Sequence, residues 1–89
     1  MITAALLLAQ FSCPTRADIE TAAWQRFREA PAATAIVATP RGTALLELLA
    51  KEDNSTWTLV LISPDGCAWP VAIGEGWQPV PWQEPGNPA

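Results

Sequence analysis

Apolar positions along this chain change their period near Pro31. Before it, Ile19, Ala23 and Phe27 recur four apart with Trp24 beside them, the spacing of one face of an amphipathic helix. The predicted helix runs from Thr15 to Ala30. Thr15 is suited to the N-cap, and Asp18 three residues on completes a capping box that satisfies an orphan N–H and favours the helix dipole. Arg16, Glu20, Arg26 and Glu29 are expected to stay in solvent, and Pro31 to stop the helix.

After Pro31 the pattern is short β runs divided by turn signals. Ala33 to Thr39 reads as a first strand, and Pro40-Arg41-Gly42 as a turn. Thr43 to Lys51 contains Leu, Glu, Ala and Lys, all helix formers. Its short length between two turns, beside a clear strand, favours a strand. Glu52 to Ser55 is the next turn, and Thr56 to Ser63 is rich in β-branched and aromatic residues. Pro64-Asp65-Gly66 is a strong hairpin signal, because Pro presets φ and Gly accepts a positive one. Cys67 to Gly74 is the last strand. Pro70 cannot donate to a ladder, so this strand belongs at an edge or carries a bulge. The expected fold is α+β: one N-terminal helix packed on a four-stranded antiparallel β-meander, followed by a Pro-rich C-terminal tail.

The N-terminus and the cysteines bear on location. Ala4 to Ala9 resembles the apolar centre of a signal peptide, with Leu7-Leu8-Ala9 before Gln10 as a cleavage site, although Met1-Ile2-Thr3 lacks the usual basic start. The expected organisation is a signal peptide over 1–9, a small α+β domain over 10–78 and a Pro-rich tail over 79–89. The run is too short to span a bilayer, and Gln10-Phe11-Ser12 before Cys13 does not suit lipidation. The chain has two cysteines, Cys13 just after this run and Cys67 just after the hairpin turn. A structural disulfide between them suits a periplasmic or secreted protein. The competing readings are a redox pair, which more often uses Cys-x-x-Cys, and a metal site, which needs further ligands in a chain without His.

Composition narrows the function classes. The chain has 89 residues, 49% of them hydrophobic, so it forms at most one domain with a modest core. Its net charge of −4, with five basic residues scattered along it, argues against nucleic acid and anionic lipid as partners. The absence of His removes Ser-His and Cys-His nucleophile systems. A carboxylate pair remains, drawn from Glu47, Asp53, Asp65, Glu75 and Glu84. Only Glu47 is oddly placed, inside a strand and on one face with Leu45 and Leu49. Beneath the helix it would pair with Arg16, Arg26 or Arg28. Because Glu is rarely fully buried, a solvent-facing Glu47 is the preferred expectation. The motif Gly74-Glu75-Gly76 is too short to be a phosphate loop, and no cofactor or metal is implied.

Five tryptophans are many for this length. Trp24 and Trp57 are expected in the core. Trp69, Trp77 and Trp82 are candidates for an exposed aromatic patch that binds a peptide or glycan. The alternative is a tail that folds back over its own sheet.

The residues Glu47, Leu48, Ala50, Trp57, Thr58, Pro64, Asp65, Gly66, Gly74, Glu75 and Trp77 form a spaced pattern within Ala35 to Val80. That stretch resembles a group of small exported proteobacterial proteins of unknown function, which carry a signal, a Cys near the mature start, a helix and a β-meander. In that group the second Cys would stand where this chain has Trp69. Here it lies two residues earlier, at Cys67, and positions two apart on a strand share a face. The second glycine, Gly76, is a further departure. The resemblance implies fold and location and supplies no activity.

The function expected from the sequence is a non-catalytic accessory or interaction domain, binding a protein or envelope component through a sheet edge or the Trp-rich tail. The alternatives are a small carboxylate-dependent enzyme using Glu47 or Glu75, and a phage or mobile-element product with no ligand.

Overall fold

A computed structural model describes residues 12–86. The signal-peptide segment at 1–9 lies outside the described residues. The elements are α1 (Arg16–Phe27), β1 (Glu29–Thr39), β2 (Gly42–Lys51), β3 (Thr56–Ile62) and β4 (Ala68–Glu75). The four strands form one antiparallel sheet in the order β1-β2-β3-β4, a simple meander. The α+β fold expected from the sequence is the one observed.

Both ends of α1 are closed by specific bonds. The Thr15 hydroxyl accepts from the Asp18 N–H at 3.2 Å, and the Asp18 carboxylate accepts from the Thr15 N–H at 2.9 Å. The helix ends at Phe27, before the expected Ala30. Arg28 adopts a left-handed conformation with φ 57° and its N–H donates to the Trp24 carbonyl at 3.0 Å. Pro31 biases Ala30 towards extended backbone, and Glu29 already pairs with Lys51, so the helix ends three residues earlier, and the strand begins four residues earlier, than the sequence suggested. An Ala32 bulge follows Pro31, which an edge strand tolerates. Pro70 meets both of its expectations: β4 is an edge strand, and its register with β3 shifts beside Pro70.

The helix crosses the sheet diagonally. Its N-terminal end is held at the start of β4, where Cys13 and Cys67 form a disulfide with Cα atoms 5.4 Å apart. Next to that bridge the Ala68 N–H donates to the Pro14 carbonyl at 2.8 Å. Its C-terminal end runs directly into Glu29 at the opposite end and edge of the sheet. Beneath it lies a core of Ala23, Leu49, Val60 and Ala68, with Ile19 and Ile62 packed against them. Ala23 is the point of closest approach, so Trp24, the next residue round the helix, is turned outward. It is 51% exposed with the Arg28 guanidinium 5.2 Å from its ring centre, which corrects the expectation that it lies in the core. Phe27 also stands outside the core, 55% exposed.

Trp57 is half-buried and packs on a bare backbone. Its ring covers Gly74 so closely that a Cβ there would enter the indole, and its Nε1 donates to the Glu75 carbonyl at 3.4 Å. The loops use side-chain oxygens as backbone acceptors. Asp53 accepts from the Ser55 N–H at 3.0 Å and its hydroxyl at 2.6 Å; Asp65 accepts from the Cys67 N–H at 3.1 Å and from the Ser63 hydroxyl.

Two outcomes follow. The bridge closes a sequence separation of 54 residues, so reduction, or Cys13→Ser with Cys67→Ser, is expected to cost about 4 kcal/mol. Denaturant unfolding with and without reductant measures this. Gly74→Ala is expected to cost about 2 kcal/mol by overpacking and to change Trp57 fluorescence; an unchanged unfolding midpoint would contradict that close approach.

Candidate functional site

The register of β2 sorts its side chains into two faces. Leu45, Glu47 and Leu49 point towards α1, and Ala44, Leu46, Leu48 and Ala50 point away. An apolar run without alternation is what a central strand needs when both of its faces are dry.

On the helix side, Glu47 is wholly buried, against the preferred expectation of a solvent-facing acid. The physical reason is the diagonal helix. Its first turn lies over this part of the sheet and brings Arg16 down onto the carboxylate. Arg16 Nε and Nη2 donate to Glu47 Oε2 at 3.0 and 2.6 Å, and Nε also donates to Glu20 Oε2 at 3.1 Å. Glu47 Oε1 has no hydrogen-bond partner among the described residues. Burial pushes the Glu47 carboxyl above the ordinary carboxylate range; the Arg16 hydrogen bond opposes this, and Glu20 adds to it. Arg16 in turn is held above its usual value by Glu47.

A second acid, expected in solvent, is also buried. Glu29 is 2% exposed, and its Oε1 accepts from the Thr58 hydroxyl at 2.7 Å. It forms part of an open groove of about 410 Å³ between the end of α1 and the β3–β4 pair, with Phe27, Ile73 and Glu75 at its rim. Glu47 and Glu75 belong to different ends of the sheet: Glu47 pairs across to Val60, whereas Glu75 pairs with Thr56. Among the described residues no group of three or more His, Cys, Asp or Glu side chains could hold a metal ion.

The face away from α1 is apolar across the whole sheet. The central leucines Leu46, Leu59 and Leu61 are half-buried and screen Leu48. Ala33 and Ala35 on β1, and Ala72 on β4, are exposed at the two edges. Among the described strand residues no charged side chain stands on this face, and Ala44, Leu48 and Ala50 on it are buried. The sequence carried the signal in the run Ala44 to Ala50, whose even and odd positions are both apolar apart from Glu47.

The three candidate tryptophans are spread out. Trp69, 47% exposed, pairs with Leu61 and belongs to the helix-free face near the start of β4. Trp77 lies beyond the other end of β4, its N–H donating to the Asn54 carbonyl at 3.1 Å, and is half-buried. Their separation along the strand direction is about 20 Å, so the structure does not bring them together. Trp82 is 89% exposed in the irregular tail. Cys13 and Cys67 are joined. Among the described residues no helix is long and apolar enough to cross a membrane.

Comparison with protein-family models, with curated proteins and with solved structures gives no match for this chain.

The buried acid gives a pH signature of definite sign. The folded pKa of Glu47 is raised, so its contribution to stability is full below its unfolded value and is lost as pH rises through the folded one. Wild type is therefore expected to gain stability relative to Glu47→Gln when pH falls from about 7 to about 5. The Arg16 side chain is 45% exposed, so solvent screens the pair, and Arg16→Ala is expected to cost about 2 kcal/mol near neutral pH and less in acid, where Glu47 takes up a proton. Urea unfolding of the variants at both pH values measures these differences; parallel pH profiles for wild type and Glu47→Gln would refute the assignment.

Proposed function

We propose that this chain is a small exported accessory domain, without catalytic activity, that docks another macromolecule on the helix-free face of its sheet. The observation that carries this reading is the unequal cover of the two sheet faces. A layer of sheet needs a second layer on each apolar face, and α1 supplies only one. Exposed apolar surface rimmed by polar turns marks an interaction site.

The disulfide fits an oxidising compartment outside the cytoplasm. A periplasmic or secreted location is the finer reading, and the resemblance to small exported proteobacterial proteins favours it. The carboxylate-enzyme alternative finds less support. Glu47 is sealed beneath α1 and held by Arg16, with no surface left for a substrate.

A photo-crosslinking residue at position 35 or 36 tests the docking face directly. Ala35 pairs with Leu46 and belongs to the helix-free face, whereas its neighbour Ile36 pairs with Leu45 on the helix side. Covalent adducts in extracytoplasmic extract are expected from position 35 and not from 36. Equal labelling from both, or from neither, would defeat the docking reading.

A further inference from the structure

We propose that the groove between the end of α1 and the β3–β4 pair binds a small primary alkylammonium, its ammonium held between Glu29 and Glu75 and its hydrocarbon chain laid against Phe27 and Ile73. The site is on the helix side of the sheet, opposite the docking face, so the two readings stand or fall separately.

The register brings the two acids to one end of this side. Thr58 pairs with Leu49 and with Ile73, and Thr56 pairs with Glu75, so Thr56, Thr58, Ile73 and Glu75 share the face that α1 covers in part. Glu29 reaches the same face from the chain just beyond α1, where the Thr58 hydroxyl donates to its Oε1 at 2.7 Å. Thr58 and Glu75 are diagonal neighbours on adjacent strands, about 7–8 Å apart. The exposed Glu75 side chain can close that distance onto a cation shared with Glu29.

Glu29 lacks the counter-charge that its burial calls for. It is 2% exposed, and the Thr58 hydroxyl is the one hydrogen-bond partner of its carboxylate among the described residues. The ion pairs among those residues are Arg16 with Glu20 and Arg16 with Glu47, so neither Glu29 nor Glu75 is paired. Glu29 Oε2 is not sealed off: the enclosed, unpartnered side-chain oxygen among the described residues is Glu47 Oε1. The basic residues that adjoin Glu29 in sequence and in register are turned elsewhere. The Arg28 guanidinium lies over the Trp24 ring, and Arg28 and Lys51 line a separate hollow beside that ring. A carboxylate withdrawn from water without a cation is costly, and a bound ammonium supplies the missing charge.

The rest of the groove fits an alkyl chain. Phe27 is 55% exposed and Ile73 78%, and both line it. Its volume of about 410 Å³ falls in the range of small-molecule sites. Phe27 is the last residue of α1, so the negative end of the helix dipole lies at the same place, and the net charge of −4 draws cations to the molecule. A primary ammonium presents three donors and no acceptor, which suits two carboxylates. A hard divalent cation needs about six oxygen ligands, and no group of three or more His, Cys, Asp or Glu is gathered among the described residues. A peptide would bring backbone N–H and C=O groups that need partners, whereas the polar side chains of the groove are two carboxylates and two threonine hydroxyls.

The test is a ¹H–¹⁵N chemical-shift titration of the purified, disulfide-bonded chain with pentylammonium chloride up to about 50 mM at constant ionic strength. A ligand of about six heavy atoms is expected to bind in the millimolar range, with shifts centred on the amides of Thr56 to Thr58 and Ile73 to Glu75. Glu29→Gln retains an acceptor for Thr58 and is expected to weaken binding roughly tenfold. Glu75→Gln, at an exposed position that leaves the fold intact, is expected to weaken it about threefold. Glu52→Gln removes the same charge outside the groove and is expected to change nothing. Far-UV circular dichroism verifies that each variant is folded.

Absence of saturable shifts in wild type would overturn the proposal. So would equal binding of pentan-1-ol, which makes the groove merely apolar, or an effect of Glu52→Gln as large as that of Glu75→Gln, which makes the attraction general to the acidic chain. Tighter binding of Nα-acetyl-lysine methylamide than of pentylammonium would assign the groove to a peptide lysine and overturn the free-amine reading.

Discussion

The Cys13–Cys67 bridge is the constraint on which the helix-on-sheet arrangement depends. Burial alone holds α1 weakly, because its one fully buried residue is Ala23, a side chain with little apolar area to contribute. The helix is retained by ties along its length. The disulfide and the Ala68–Pro14 hydrogen bond fix its start to β4, Arg16 fixes its first turn to Glu47, and the tight left-handed turn at Arg28 joins its end to β1. A small domain with a limited core needs such staples. The bridge also sets the diagonal. With one end held at β4 and the other continuous with β1, the helix has to cross the whole sheet.

That diagonal explains why the acids lie where they do. Glu47 falls under the first turn, where Arg16 projects, and Glu29 falls where the helix passes into strand. Replacing a buried ion pair by apolar residues often costs nothing, so the Arg16–Glu47 contact is better understood as setting where the helix sits than as adding net stability. A helix held by a small alanine has little packing to define its rotation or translation. A charge that requires its partner supplies that definition, because any slip leaves Glu47 buried alone.

Much of the fold was legible in the sequence because it is written in local chemistry. Turn residues divide the strands, Thr15 and Asp18 close the helix start, and Pro70 marks an edge with a bulge. The ambiguous segment from Thr43 to Lys51 proved to be a strand; tertiary pairing on both sides outweighed the helix propensity of its leucines. What was not legible depends on the placement of one element against another. The burial of Glu47 and Glu29 and the exposure of Trp24 follow from which sheet face the helix covers and at what angle. Periodicity gives the face of a helix and the face of a strand. It does not say which two faces meet.

The same placement divides the molecule by polarity. The helix side carries the charges, including both buried acids, while the other side carries none and is formed of Leu, Ala, Val and Trp. In an ordinary antiparallel sheet one face is solvated, and its strands alternate. Here β2 gives up alternation, with leucines on both sides, and so spends apolar residues on a surface that α1 cannot reach. Leu48 is buried on this side and pairs across the ladder with Leu59. Ala44, Leu48 and Ala50 on that side are themselves buried, so apolar residues there serve the packing of the sheet, and Lys or Glu in their place would bury a charge.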